Sequence, residues 1–197
     1  MKKFLKTVLL TIFSISALIT ISVILLLVRY NSWTKDFESN IKVENLVVKE
    51  TSLSEEVVPQ ISSFTLSQED TESLSLSTVQ FGYMVLNVLD EYLGESISVE
   101  KIYIEPSVGN WNVYIQANYK KVSPWVWISL KKDSVQSAQL YITQFNIGPY
   151  SFNRIVERIN DGIANGLVTV NENGFTGRYL ENIELLEESI VVKGSRY

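Results

Sequence analysis

The chain of 197 residues contains no cysteine and no histidine. Without cysteine it has no disulfide framework and no thiolate nucleophile, and a lipid attached to an N-terminal cysteine is also excluded. Without histidine, the Ser-His-Asp and Cys-His nucleophile systems and the usual zinc sites are excluded. The sequence also contains no glycine-rich phosphate loop, EF-hand or dinucleotide fingerprint. We therefore predict no catalytic residues, no metal site and no cofactor.

An apolar run near the N-terminus, from Val8 to Val28, contains no charged residue and no proline. Its polar atoms are serine and threonine hydroxyls, which can bond to the preceding turn of a helix. At about 1.5 Å per residue, a helix of this length crosses a hydrocarbon layer of ~30 Å. The run therefore predicts a membrane-spanning helix, with the lipid bilayer as its partner.

The basic start at residues 2–6 would also suit a secretory signal peptide. The apolar run is longer than a signal core of roughly 7–15 residues, and it ends at Leu27–Tyr30 without the small residues of a cleavage site. Retention as a signal anchor is therefore favoured over removal. Because so short an N-terminal segment normally stays in the cytoplasm, we expect the rest of the chain outside it, with Tyr30 and Trp33 at the outer membrane interface.

All 22 acidic residues follow Arg29, whereas four of the 17 basic residues do not. The chain after Arg29 therefore has a formal charge near −9. Such a part is repelled by phosphate backbones and anionic headgroups unless it has a local basic patch. The candidates are the pairs Lys120-Lys121 and Lys131-Lys132, although paired lysines at strand ends more often protect sheet edges. We therefore expect no nucleic-acid partner.

Three parts are predicted: residues 1–29 as cytoplasmic start and anchor, 30–60 as juxtamembrane segment and linker, and 61–197 as an extracytoplasmic domain. Residues 41–48 suit either a brief strand or an outward continuation of the anchor helix, and residues 50–60 suit a linker.

In the outer domain, Ser67 followed by Asp70 predicts the capped start of a short helix. The apolar spacing then predicts a stronger helix from Thr78 to Leu93, with its stop at Gly94.

After Gly94 the apolar period changes from helical to two, which predicts strands. The first expected element is a hairpin of residues 97–106 and 111–119, joined around Gly109 and Asn110. A strand at 122–132 follows, with both faces apolar. After a turn at Asp133 and Ser134, a further strand is expected from Ser137 to Ile147.

A second amphipathic helix is expected from Ser151, its cap, through Ile163, with its end at Asn165 and Gly166. Short strands follow at 167–170, 175–180, 182–186 and 189–194, with turns at Asn173-Gly174 and Glu187-Glu188. The order predicts an α+β fold in which an N-terminal transmembrane helix precedes a curved antiparallel sheet packed with one or two amphipathic helices.

Three parts of the sequence carry a likeness to a known family: LSQED, YKKVSPWVWISLKKDSVQSAQLYITQFNIGPYSFNRIVERI and the closing strands. In these parts the sequence resembles the YpmS-like family of single-pass membrane proteins from Gram-positive bacteria. That family has a strand, an Ile-Gly pair, a proline-containing turn and an amphipathic helix in this order; the matching residues are Phe145, Ile147, Gly148, Pro149 and Phe152. The resemblance covers most of the outer domain and implies its topology and domain type. It implies no activity, because none is established for the family.

Two weak catalytic patterns are present. Ser98 with Lys101 and Ser129 with Lys132 have the spacing of serine-lysine nucleophile pairs, but in strands this odd offset points the two side chains to opposite faces. Neighbouring carboxylates suit solvated loops better than a glycosidase pair; these are Glu55-Glu56, Glu69-Asp70 and Glu187-Glu188.

Large apolar side chains form the remaining candidate site, a possible surface for an apolar ligand or a partner; its members are Trp111, Trp125, Trp127, Tyr141, Phe152 and Ile155. Beneath the amphipathic helix these side chains would be core, whereas on a sheet curving away they would line a groove for an acyl chain or a partner segment. The leading hypothesis is a non-catalytic, membrane-anchored extracytoplasmic domain that binds a partner protein or envelope component. The alternative is a lipid- or apolar-ligand-binding module that uses a groove between sheet and helix.

Overall fold

The computed structural model describes residues 2–93, 96–133, 135–173 and 177–197, with side chains from Ser14 onward. The chain divides between Asn40 and Ile41 into two compact units. The first unit is one helix, α1 (Lys2–Asn40), and its part from Ser14 to Asn40 is long and apolar enough to cross a membrane. The predicted N-terminal apolar helix is therefore confirmed, and it continues beyond Val28.

Two hydroxyls within the apolar run bond to the helix itself. Thr20 Oγ1 donates to Ser16 O at 2.9 Å, and Ser22 Oγ donates to Leu18 O at 2.8 Å. Each hydroxyl is thus satisfied by the main chain one turn earlier, so these polar side chains place no unpaired donor in an apolar surrounding.

The second unit is α+β with antiparallel pairing throughout its named strands, which confirms the fold class. One sheet has the order β1-β3-β4-β5-β6-β7; its strands are Leu46–Val48, Ile97–Ser107, Asn110–Tyr119, Trp125–Lys131, Tyr141–Ile147 and Tyr150–Ser151. The other has the order β2-β9-β8; its strands are Thr71–Ser77, Ser189–Arg196 and Arg178–Leu185. The described strands thus form two sheets where one was predicted, and the predicted curvature stays a prediction.

In the described part of the second unit, three α-helices accompany these sheets: α2 (Ser54–Leu66), α3 (Thr78–Leu93) and α4 (Val156–Asn173). The predicted bounds of α3 are confirmed, whereas its predicted stop at Gly94 lies outside the described residues. The β3–β4 hairpin is confirmed as well, with a positive φ of 73° at Gly109 in its turn.

Helix α3 lies close against β1 and β3 at Gly82. A β-carbon added there would stand 3.1 Å from Val47 Cγ2, and the side chains of Ile102 and Ile104 lie within 3.6 Å of the same point. The absent side chain therefore lets the helix backbone approach the sheet, and the core forms between these elements.

The region before α3 corrects two predictions. Residues 54–60 are not linker but the first part of α2, because Val57 and Phe64, seven residues apart, bury the same side of this helix. Ser67 ends α2 instead of capping a new helix, and TESLSLS is strand β2, in which Leu74 and Leu76 are buried between exposed serines. Of the two alternatives for residues 41–48, the strand is confirmed at Leu46–Val48.

The region after β6 corrects the other boundaries. Ser151 belongs to β7 and does not cap the helix, α4 continues through Gly166 to Asn173, and residues 167–170 are helical, not a strand. A glycine costs a helix only about 1 kcal/mol, which the contacts of the neighbouring turns can offset. The two strands predicted at 175–180 and 182–186 are one bulged strand, β8; residues 174–176 lie outside the described ranges.

Two smaller boundaries differ as well. The strand predicted at 122–132 spans Trp125–Lys131, and the strand predicted from Ser137 begins at Tyr141. The predicted turn residue Ser134 is outside the described ranges. The turn at Glu187-Glu188 is confirmed between β8 and β9.

Candidate functional site

Helix α1 exposes large apolar side chains on all its sides between Ile15 and Val28. Their exposed fractions run from 48% at Val23 to 65% at Leu18. A helix that is apolar all round is stable when another apolar phase surrounds it. This stretch is therefore the surface of the molecule that is best suited to a bilayer.

Trp111, the first of the six predicted site residues, belongs to the core. It is fully buried, its ring meets Phe81 of α3 edge-on at a centroid distance of 5.6 Å, and its Nε1 donates to Leu186 O at 2.7 Å. The indole thus joins the first sheet to the turn that links β8 and β9.

Trp127 lies on the opposite face of the same sheet. Its strand partner is Tyr114, which stands three residues after Trp111 and so points the other way. The rings of Tyr103, Tyr114 and Trp127 form a row across three strands, with centroids 5.7 and 5.6 Å apart. Trp125 shares the face of Trp127 and is fully buried.

The other three predicted residues are partly exposed. Tyr141 begins β6, whereas Phe152 and Ile155 lie between β7 and α4, where the Phe152 N–H donates to Phe145 O at 2.8 Å. The six residues therefore do not form one continuous surface, because Trp111 is separated from Trp127 by the sheet. Whether any of them binds a ligand stays a prediction.

The two serine-lysine patterns have other partners. Ser98 Oγ donates to Glu100 Oε1, and Ser129 Oγ donates to Asn110 Oδ1, both at 3.0 Å. Lys132 Nζ donates to the Val135 carbonyl at 2.6 Å. Neither serine hydroxyl is thus bonded to the lysine of its pattern.

The two lysine pairs do not combine into a basic patch. Lys120 and Lys121 form the turn between β4 and β5, whereas Lys131 pairs with Asn110 at the other end of the same hairpin. Within the described residues, no group of three or more acidic side chains is arranged to hold a metal ion.

A polar pocket of about 640 Å³ lies at the end of the second unit where the chain enters it. Four carboxylates line it, from Glu44, Glu105, Glu187 and Glu188, beside the basic Lys42. Two side chains approach Glu105 Oε2, since the Tyr114 hydroxyl and the Asn112 amide each donate to it at 3.3 Å. The pocket therefore has a negative lining.

Tyr114 is the most perturbed titratable group beside this pocket. Burial of its hydroxyl raises the pKa of Tyr114 well above the ordinary tyrosine value, and the negative charge of Glu105 adds to the effect. Burial likewise raises the pKa of Tyr103. Both phenols therefore keep their protons at physiological pH.

A second pocket, of about 480 Å³, lies beside the first and is more apolar in its side chains. Val108, Val135 and Leu186 line it, and each belongs to a different loop. The sequence analysis missed these three residues, because isolated apolar residues in loops carry no periodic signal; only the fold brings them together.

Comparisons with known protein families, with curated proteins and with solved structures found no match for this chain.

Proposed function

We propose that this chain is a single-pass membrane protein whose second unit lies outside the cytoplasm and binds a partner protein or envelope component without catalysing a reaction. The observation that carries the proposal is the apolar surface of α1 on all sides from Ile15 to Val28. Leaving such a surface in water costs roughly 25 cal/mol for each Å². A bilayer removes this cost along the whole segment.

The proposed orientation is supported by the chain's own asymmetry. The short segment before the apolar run carries Lys2, Lys3 and Lys6, which suits retention in the cytoplasm. Beyond the run, Tyr30 and Trp33 lie one turn apart on α1, with ring centroids 6.2 Å apart, where an interfacial belt of aromatic residues is expected. The resemblance to the YpmS-like family supports the same arrangement.

The second candidate, an apolar-ligand groove between sheet and helix, has less support. Around Gly82, α3 approaches β1 and β3 so closely that not even a β-carbon fits without displacing Val47. An acyl chain would therefore need a different part of the helix-sheet boundary.

The absence of cysteine makes the orientation directly testable. Single-cysteine variants Lys3→Cys and Val43→Cys, the latter at a residue 82% exposed, are treated in native cells with a membrane-impermeant maleimide. We expect labelling of Val43→Cys in intact cells and of Lys3→Cys only after permeabilisation. The reverse pattern would contradict the orientation.

The same Lys3→Cys variant distinguishes an anchor from a signal peptide. If the label at position 3 is found on the full-length protein in the alkaline-washed membrane pellet, the segment is retained. A shortened protein in the soluble fraction would show removal, and the anchor proposal would fail.

A further inference from the structure

Three apolar side chains from three loops help to line the 480 Å³ pocket, together with the charged Lys132, Asp133 and Glu184. Val108, in the β3–β4 turn, is 70% exposed, Val135, in the β5–β6 loop, is 68% exposed, and Leu186, in the β8–β9 turn, is 37% exposed. Single exposed apolar residues are common on protein surfaces, but several that converge on one pocket mark an interaction site.

Hydrogen bonds hold these loops against each other. The Gly109 N–H donates to Leu185 O at 2.8 Å, which joins the first turn to β8. The Ser137 N–H donates to Asn182 Oδ1 at 3.1 Å, and Lys132 Nζ reaches the Val135 carbonyl within the loop. These bonds tie Gly109, next to Val108, and Ser137, two residues after Val135, to strand β8.

The negatively lined pocket continues this surface. Ser107 and Glu187 line the 640 Å³ pocket, and their chain neighbours Val108 and Leu186 line the apolar one. An apolar anchoring point therefore lies next to the carboxylates of Glu187 and Glu188.

We infer that these two adjacent pockets, here called the loop-end surface, bind a segment of a partner protein in which an apolar side chain stands next to lysine or arginine. The inference rests on the proposed function, of which it names the site and the partner chemistry. Charge complementarity selects this occupant. Six carboxylates line the two pockets against two lysines, Lys42 and Lys132, so the surface is negative on balance. It repels anionic lipid headgroups and attracts a basic segment. An apolar side chain of the partner covers the exposed valines.

Photo-crosslinking in native cells, on the full-length protein, tests this site. A benzophenone amino acid replaces Val108, Val135 or, as control, Val122, which is 60% exposed at the opposite end of β4. We expect the same protein adduct from positions 108 and 135 and none of it from position 122.

Charge reversal then tests whether the carboxylates attract a basic segment of the partner. The double variant Glu187→Lys/Glu188→Lys is expected to lower the yield of the adduct at position 108 at least about tenfold, because like charges across an interface cost several kcal/mol. The matched control is Glu55→Lys/Glu56→Lys, an exposed pair in the first turn of α2, which should leave the yield unchanged.

Four results would overturn the inference: lipid adducts at positions 108 and 135, equal loss of adduct in both double variants, a protein adduct at position 122 alone, or no adduct at any position. A protein adduct at position 122 alone would leave the proposed function standing, since a partner would then bind elsewhere. The maleimide labelling shows independently whether the proposed anchor or the proposed orientation is wrong.

Discussion

The side-chain amide of Asn160 satisfies both main-chain groups that Ile142 on β6 would offer to a further strand. Asn160 Oδ1 accepts the Ile142 N–H at 2.7 Å, and Nδ2 donates to the Ile142 carbonyl at 2.9 Å. Asn171, three helical turns later on the same side of α4, binds the N–H and carbonyl of Leu180 on β8 at 2.8 and 3.3 Å. Helix α4 thus covers β6 at Ile142, beyond its pairing with β7, and the edge strand β8 at Leu180, which removes templates for edge-to-edge pairing at these two points.

Replacing Asn160 by alanine should open this edge. The N–H and carbonyl of Ile142 lose their partner, which we expect to lower the free energy of unfolding by about 1–3 kcal/mol. Hydrogen-deuterium exchange on the full chain in detergent should show faster exchange at the Ile142 amide. The control is Asn165→Ala at an exposed position of the same helix, and the same acceleration in both variants would show that Asn160 does not hold the edge.

Arg178 is a second polar residue with a structural role, and it is only 1% exposed. Its guanidinium donates to four main-chain carbonyls, those of Phe64, Ser67, Glu69 and Gly194, at 2.6 to 3.3 Å. Three of these carbonyls lie at or just after the C-terminal end of α2, where the helix dipole is negative. Arg178 therefore fastens α2 to the second sheet.

We expect Arg178→Met to lower the free energy of unfolding by at least about 3 kcal/mol, because several buried carbonyls lose a charged donor together. Arg178→Lys should restore little of this loss, since an ammonium group cannot reproduce the planar fork of donors. Urea unfolding in detergent measures both variants. Arg154→Met, at an exposed arginine, should stay within about 0.5 kcal/mol of the unchanged protein; a similar loss there would contradict the assigned role.

Periodic parts of the sequence could be predicted because their pattern matches their burial. The alternation around Trp111 and Val113 reports a face that is covered in the structure. In α3 the apolar spacing predicted the bounds of the helix but not its inner face, which carries Thr78, Gly82 and Leu86, whereas Val88 and Tyr92 are exposed. The role of Asn160 and Arg178 could not be predicted, because each bonds the main chain of residues that are distant in sequence. In α4, the Asn165-Gly166 stop signal is overridden by contacts on either side of it.

The same limit applies to the candidate site. Sequence patterns favoured the tryptophans, since large aromatic residues at strand spacing stand out, yet Trp111 and Trp125 are buried completely. Val108 and Val135 stand in loops with no pattern around them. Their convergence depends on the pairing of β3, β4 and β5, which is a property of the fold.

The turn between β4 and β5 contains strain. Lys120 has a φ of +57°, the one positive value at a non-glycine position within the described residues, while Lys121 follows with a negative φ. Tyr119 and Val122 close the turn with hydrogen bonds of 2.9 and 3.1 Å. A positive φ at the first central position alone is typical of the type II′ hairpin turn, in which glycine normally stands there.

Lys120→Gly should therefore stabilise the protein. A left-handed conformation costs a residue with a β-carbon about 1–2 kcal/mol, and the greater freedom of glycine in the unfolded chain offsets part of the gain. We expect a net gain of about 0.5–1 kcal/mol by urea unfolding. Lys120→Ala is the control, since it removes the ammonium above the Tyr119 ring but keeps the β-carbon. A gain in the alanine variant as large as in the glycine variant would show that strain is not the cause.

Acid should weaken the link between α3 and β1. Asp90 accepts from Lys49 Nζ at 3.0 Å, and this bond, with one from the Val99 N–H, holds the pKa of Asp90 below its usual value. Because the pKa is lower in the folded state, the stabilisation is present above the unfolded pKa of about 3.9 and is lost as the pH falls through the folded value. We expect the urea midpoint of the unchanged protein to fall between about pH 6 and pH 3, and that of Asp90→Asn to fall less. Glu91→Gln, at an exposed neighbouring residue, is the control and should fall as much as the unchanged protein. Equal drops in all three proteins would mean that this ion pair does not contribute to folding.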